Sequence, residues 1–284
     1  MVNYTLGLHV ARYLDIRNEN GSLVIDDEST VIQTLALTRN VLFSSFNANA
    51  INSMDGWKPA APYTQTLSLN PFTEIYGHRN AVKNDSSSIK IVAYRIFGDL
   101  GNLPYAAISA SNWSDANPAV TLTANALGNG AFWAQAVWLS LEPYNVPLPN
   151  TAFVAYNASG QITFDAALGY VHHIASMTGK INITSQSSNF SIAVKNIAGL
   201  GLDVSKLFIV MRGFPRVAQW QWGSSNNFYR VGYRSFVPRL RVTDNVIYVD
   251  YGIWMPYDYT GAIAATYNPT YNFSIYYIPS IRSY

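Results

Sequence analysis

His172 and His173 stand side by side, and imidazole is the side chain best suited to proton transfer or metal ligation near neutral pH. They fall in Tyr170-Val171-His172-His173-Ile174, a stretch that reads as a strand. Neighbouring strand residues point to opposite faces, so the two rings cannot readily hold one metal ion. His9 and His78 are isolated, and neither a His-x-His nor an HExxH spacing occurs. The histidines therefore read as structural.

Carboxylates come next. A glycoside hydrolase needs two of them across a cleft, and Asp55, Glu74, Asp99, Asp165, Asp250 and Asp258 are all available, with no spacing that singles out a pair. Asp26, Asp27 and Glu28 follow a Gly-Ser turn and read as a solvated loop, with a cation site as the lesser reading. Gly98-Asp99-Leu100-Gly101 and Gly199-Leu200-Gly201 lack the longer glycine-rich context that cradles phosphates, and no G-x-S-x-G elbow occurs. The absence of cysteine excludes a thiol nucleophile, thiolate metal sites and disulfides. No catalytic residue, cofactor or metal is assigned, and the expectation is that the chain is not an enzyme; a hydrolase is kept as an alternative.

Binding chemistry is better represented. Trp220 and Trp222 sit at i, i+2 in an alternating segment and share a strand face. They form either part of a core or a platform on which sugar rings stack. Arg239 and Arg241 share a face too, within the group Arg230, Arg234, Arg239 and Arg241. The expectation is a solvated face paired with local acids, and the alternative a basic contact surface for phosphates or a partner's carboxylates. Tyrosines crowd the region from Tyr257 to Tyr284, and Tyr offers large contact area at low entropic cost. Asn-x-Ser/Thr sequons occur at Asn3, Asn20, Asn84, Asn112, Asn157, Asn182, Asn189 and Asn272, about twice the number that the Asn, Ser and Thr content gives by chance. Their use would place the chain in an exposed setting.

The elements that must position these side chains read as strands. Lys180–Thr184, Phe190–Lys195, Val217–Trp222, Phe228–Tyr233, Arg239–Val242, Val246–Tyr251 and Asn272–Ile278 are rich in Val, Ile and Tyr, mostly in alternating patterns, and Leu207–Met211 is a continuous apolar run suited to burial on both faces. Thr243-Asp244-Asn245 is a compact hairpin loop. In the first half, Ser88–Phe97, Ala119–Ala124 and Ala131–Leu139 read as strands, the last two joined by a hairpin at Leu127–Gly130; Thr30–Phe46 is read as strand over helix. The fold class is all-β, an antiparallel sandwich of jelly-roll type. Glu142–Asn150 holds three prolines, which cannot donate to a ladder. That connector, 143–149, suggests a sandwich over 1–142 and another over 150–284; one large β domain over 1–284 is the alternative.

In the 284 residues, hydrophobic side chains make up 49% and charged ones 12%, about half the roughly 25% usual for soluble domains. The surface must be solvated by Asn, Ser, Thr, Gln and Tyr. A net charge of +2 is too small to steer nucleic acid or an anionic membrane by its field. Neither a signal peptide nor a membrane-spanning apolar run is visible.

Strand patterning, very low charge, no cysteine and abundant Tyr, Asn, Ser and Thr together resemble β-sandwich structural proteins of virus exteriors, particularly of viruses infecting hot, acidic archaeal hosts. The likeness is one of composition, carries no motif, and transfers no functional residue. It implies a non-enzymatic capsid- or penton-type protein on a virion or cell exterior. Its partners would be further copies of itself, as a homo-oligomer, and other structural proteins. A carbohydrate- or receptor-binding module, with glycans as ligands, is the competing expectation. Few carboxylates suits acid, where protonation of paired acids destabilises a fold.

Overall fold

The computed structural model describes residues 5–6, 15–17, 23–26, 32–46, 63–69, 75–77, 90–97, 103–111, 120–127, 130–140, 153–165, 169–180, 189–213, 215–222, 229–254 and 270–279. Strands dominate them. In chain order these are β1 (Thr5–Leu6), β2 (Asp15–Arg17), β3 (Leu23–Asp26), β4 (Gln33–Thr38), β5 (Val41–Phe46), β6 (Tyr63–Leu69), β7 (Ile75–Gly77), β8 (Lys90–Phe97), β9 (Tyr105–Ser111), β10 (Val120–Leu127) and β11 (Gly130–Ser140). The second half supplies β12 (Val154–Tyr156), β13 (Ile162–Asp165), β14 (Gly169–Tyr170), β15 (His172–Lys180), β16 (Asn189–Asn196), β17 (Leu207–Gly213), β18 (Arg216–Trp222), β19 (Tyr229–Thr243), β20 (Val246–Trp254) and β21 (Thr270–Tyr277). Among the described residues there is one 3₁₀ turn, Val204–Lys206, capped by Asp203, whose carboxylate accepts from the Ser205 amide. Among the described residues no helix is long and apolar enough to cross a membrane.

The class is all-β and antiparallel, as the alternation predicts. The largest sheet has nine strands in the order β14-β4-β11-β8-β17-β21-β15, with β5 also on β11 and β7 on β4. A four-stranded sheet runs β16-β20-β19-β18, and a three-stranded one β6-β10-β9. Along the large sheet, alternate residues serve alternate faces. Tyr94, Ala134, Ala136, Trp138, Ile209, Phe273 and Ile275 join the main core, which includes Ala106 and Leu122 from the three-stranded sheet and Phe236, Val249 and Tyr251 from the four-stranded one. Ala93, Val137, Leu139, Phe208, Val210 and Tyr276 face the other way and form a second cluster with Val171 and Ile278. The apolar run of β17 is thus buried on both sides.

Local chemistry explains the sharpest turn. Thr243 pairs with Val246 across two residues, Asp244 and Asn245, both in the left-handed region at φ 51° and 59°. Asp and Asn tolerate that region best after glycine, and the resulting primed turn matches the twist of the flanking strands. Of the stretch Thr30–Phe46, the described residues 32–46 hold β4 and β5, broken at Arg39 and Asn40.

Two expectations change. Leu127–Gly130 is not a hairpin: β10 is already paired on both sides, by β6 and β9, while β11 lies between β8 and the strands β4 and β5. The two strands belong to different sheets. The division at 143–149 falls inside a shared sheet, because β4, β5, β7, β8 and β11 from before it interleave with β14, β15, β17 and β21 from after it. Further cross-links join the halves. Gln33 donates to the Asp165 carbonyl (2.7 Å) and accepts from the Asp165 amide (3.1 Å), so its side chain acts like a neighbouring strand. The connector itself lies outside the described residues, as does the strand expected at 181–184.

Candidate functional site

On β20, Ile247, Val249 and Tyr251 turn into the core, which sends Tyr248 and Asp250 to the outer face. Register then decides the neighbours. Asp250 lies opposite Arg239 on β19 and opposite Ser191 on β16, and Tyr248 lies opposite Arg241. Arg241 grips the carboxylate with two nitrogens, Nε to Oδ2 at 2.7 Å and Nη2 to Oδ1 at 3.1 Å, a bidentate arrangement. Arg239 Nη2 adds a third bond at 3.2 Å, and the Ser191 hydroxyl donates to Oδ1. Each guanidinium also covers a ring, Arg239 over Tyr105 at 4.4 Å and Arg241 over Tyr248 at 4.5 Å.

Asp250 is only 5% exposed. Burial alone would push its carboxyl upward, but hydrogen bonds from Arg241, Ser191 and Arg239 outweigh that and hold it below its ordinary range. Arg239 and Arg241 are thus both paired with one local acid. Ser191 is committed to the same carboxylate, and among the described residues no histidine bonds to it. The cluster can hold charge in place; it contains no nucleophile with a base.

The inner rims of these arginines line a groove of about 320 Å³, bounded by β8, β9, β19 and the 3₁₀ turn with the start of β17. Beside it, β8 and β17 are bridged at a single residue pair, Tyr94 with Ile209. Most of the wall is apolar: Ile96, Phe97, Leu103, Leu207, Leu240 and Val242. One further cation lines it. Arg95 lies inside a strand at 6% exposure, with no carboxylate bonded to it. Its Nε donates to Gln135 Oε1 at 3.0 Å, and the Gln135 amide donates on to the Thr38 carbonyl at 3.0 Å. The guanidinium lies 4.2 Å from the Phe97 ring centroid and 5.1 Å from that of Phe208. Nη1 is buried without a hydrogen-bond partner. Burial lowers the pKa to about 10, while Asp203 favours the charged form.

No known protein family, curated protein or solved structure matches this chain.

The remaining sequence candidates are dispersed. Trp220 and Trp222 lie on β18 opposite Val231 and Tyr229; their side chains, and those of Arg230 and Arg234, fall outside the described residues. Asp165 belongs to β13, paired with β12, and Asp250 to the four-stranded sheet. Asp55, Glu74, Asp99, Asp258, His9 and His78 lie outside the described residues, as do the side chains around Asp26. Among the described residues no group of three His, Asp or Glu side chains is placed to hold a metal.

The two adjacent histidines are both exposed and sit against different rings, His172 by Tyr277 and His173 by Tyr276. His173 Nε2 is 2.7 Å from the Ser176 hydroxyl, itself 2.7 Å from that of Ser274. Residues three apart on a regular strand face opposite ways; the register shift between His173 and Ala175 brings these two together. Nothing in the alternation of types signals that bulge.

Of the sequons, Asn157 uses its carboxamide in a turn, accepting from the amides of Ser159 and Gln161 and donating to the Gln161 side chain. Asn272 lies on β21 between β15 and β17, with Ser274 buried. Asn189 opens β16, and Asn3, Asn20, Asn84, Asn112 and Asn182 lie outside the described residues.

Proposed function

We propose that this chain is a non-enzymatic structural protein that self-associates through sheet faces and edges, the kind of component from which a virion shell or another extracellular assembly is built. The observation that carries the reading is an open aromatic row. On β11, Trp133 lies opposite Leu42 of β5 on one side and Phe97 of β8 on the other. Trp133 is 46% exposed and Leu42 42%, whereas on the reverse face Phe43 and Phe132 stack at 5.4 Å in the core. The second face of the large sheet is buried around Val137, Leu139 and Val210 and left open here. Directly opposed side chains on one sheet face act as a unit, and a large exposed aromatic with apolar neighbours is a typical anchor of a protein contact. Edges add to it: among the described residues β18 pairs only with β19 and β6 only with β10, leaving backbone groups open to strand addition.

Light scattering across a concentration series, at pH values from 3 to 8, tests this. Expected is a homo-oligomer burying more than about 1,000 Å² per contact, lost or weakened at least tenfold in Trp133→Asp. A chain monomeric at high concentration throughout that range would overturn the proposal.

A further inference from the structure

The groove beside β19 has a feature that an assembly surface does not require. Arg95 is a charged residue in the middle of a strand, at 6% exposure, and its one hydrogen bond to protein goes to a neutral amide. A buried guanidinium is ordinarily matched by a carboxylate. Among the described residues the nearby acids are engaged elsewhere: Asp250 by Arg239 and Arg241, and Asp203 by the backbone and hydroxyl of Ser205. Among the described residues three arginines stand in the groove wall, with those two carboxylates nearby, so this set is net cationic. Arg95 Nη1 and Arg239 Nε are both buried donors without partners. The rest of the wall is aliphatic and aromatic, and the volume lies at the lower end of small-ligand sites.

A bare inorganic anion would leave the apolar wall unused, and a neutral hydrocarbon would leave the buried donors unmet. We propose that the groove binds a small anionic amphiphile, an aliphatic tail along Ile96, Leu207, Leu240 and Val242 with its carboxylate or phosphate head at Arg95. Such a head adds a charge-assisted bond in a site already desolvated, where it counts for most. Val204, 43% exposed, stands at the groove wall where the tail would enter.

Calorimetric titration with decanoate, decyl phosphate, decanol and inorganic phosphate, all below micellar concentration, tests the assignment. Expected is one saturable site for decanoate, decyl phosphate or both, whichever binds naming the head. Decanol and inorganic phosphate should bind at least tenfold more weakly, and Arg95→Gln should lose about tenfold or more for the anionic ligand. Should Arg95→Gln not fold, Val204→Trp obstructs the groove from an exposed position and should abolish binding with an unchanged circular dichroism spectrum. Equal affinity for decanoate and decanol, no binding of either amphiphilic anion, or binding indifferent to both substitutions would overturn the inference.

Discussion

Arg95 and the pair Arg239–Arg241 line the same groove, yet the protein holds them in opposite ways. On the four-stranded sheet, two half-exposed guanidiniums share one buried carboxylate, and the acid receives bonds from both of them and from Ser191. On the large sheet, a guanidinium buried more deeply has a glutamine and two phenyl rings instead. The first arrangement is closed in charge: one carboxylate answers both guanidiniums, although Arg239 Nε is left without a partner. The second has an unanswered donor and no bonded counter-charge among the described residues. Closed ionic clusters fix strand register, because they are satisfied in one alignment only; an open one is a cost to the folded state unless something else answers it.

The largest consequence should come from breaking the closed cluster. Asp250→Asn is expected to cost about 3 kcal/mol, since it leaves two facing cations without their counter-charge. Urea midpoints measure this, and a cost below about 1 kcal/mol would rank the cluster with ordinary surface pairs. The effect has a pH signature. Because the folded carboxyl is held below its ordinary range, its contribution is complete above that range and fades as pH falls through the lowered value. The difference between wild type and Asp250→Asn should therefore shrink below about pH 4.

Arg95→Met should matter much less, within about 1 kcal/mol, because relief of the buried charge offsets the bond lost at Gln135. Its pH dependence has the same sign but lies in a different, alkaline window. A guanidinium lowered to about 10 opposes folding while charged, so wild type should gain on Arg95→Met only as pH rises past that value. A loss as large as that of Asp250→Asn would erase the contrast and make Arg95 a structural cation. Smallest of all, Tyr94→Phe should leave thermal stability unchanged or raise it by about 0.5 kcal/mol, since that buried hydroxyl has no partner to lose.

How much of this the residues announce depends on how local its cause is. The Asp244-Asn245 turn and the doubly buried β17 are written in consecutive residues and are read directly. Strands β6 and β9 are not: Tyr-Thr-Gln-Thr-Leu-Ser-Leu and Tyr-Ala-Ala-Ile-Ser-Ala-Ser are too polar or too small to announce burial. Arg239 and Arg241 are recognised as sharing a face, but their common acid comes from strand register, and Asp250 stands out in no way from the five other candidate acids. Arg95 sits in a segment read correctly as a strand; its burial depends on what the opposite strands bring. The misplaced hairpin at Leu127–Gly130 shows the same limit, since a glycine turn does not say whether the chain doubles back or changes layer.

Strand β21 runs between β15 and β17, and β17 alone joins it to β8 and the strands of the first half. Until synthesis has passed residue 277, β15 and β17 have nothing between them and the large sheet exists only as fragments with bare margins. Pairings that join positions so distant along the chain form slowly. A nascent copy therefore spends much of its synthesis with sticky borders, and the few charges in the sequence offer little to keep neighbouring copies apart. Crowded translation of many copies at once would favour mispaired strands over completed sheets.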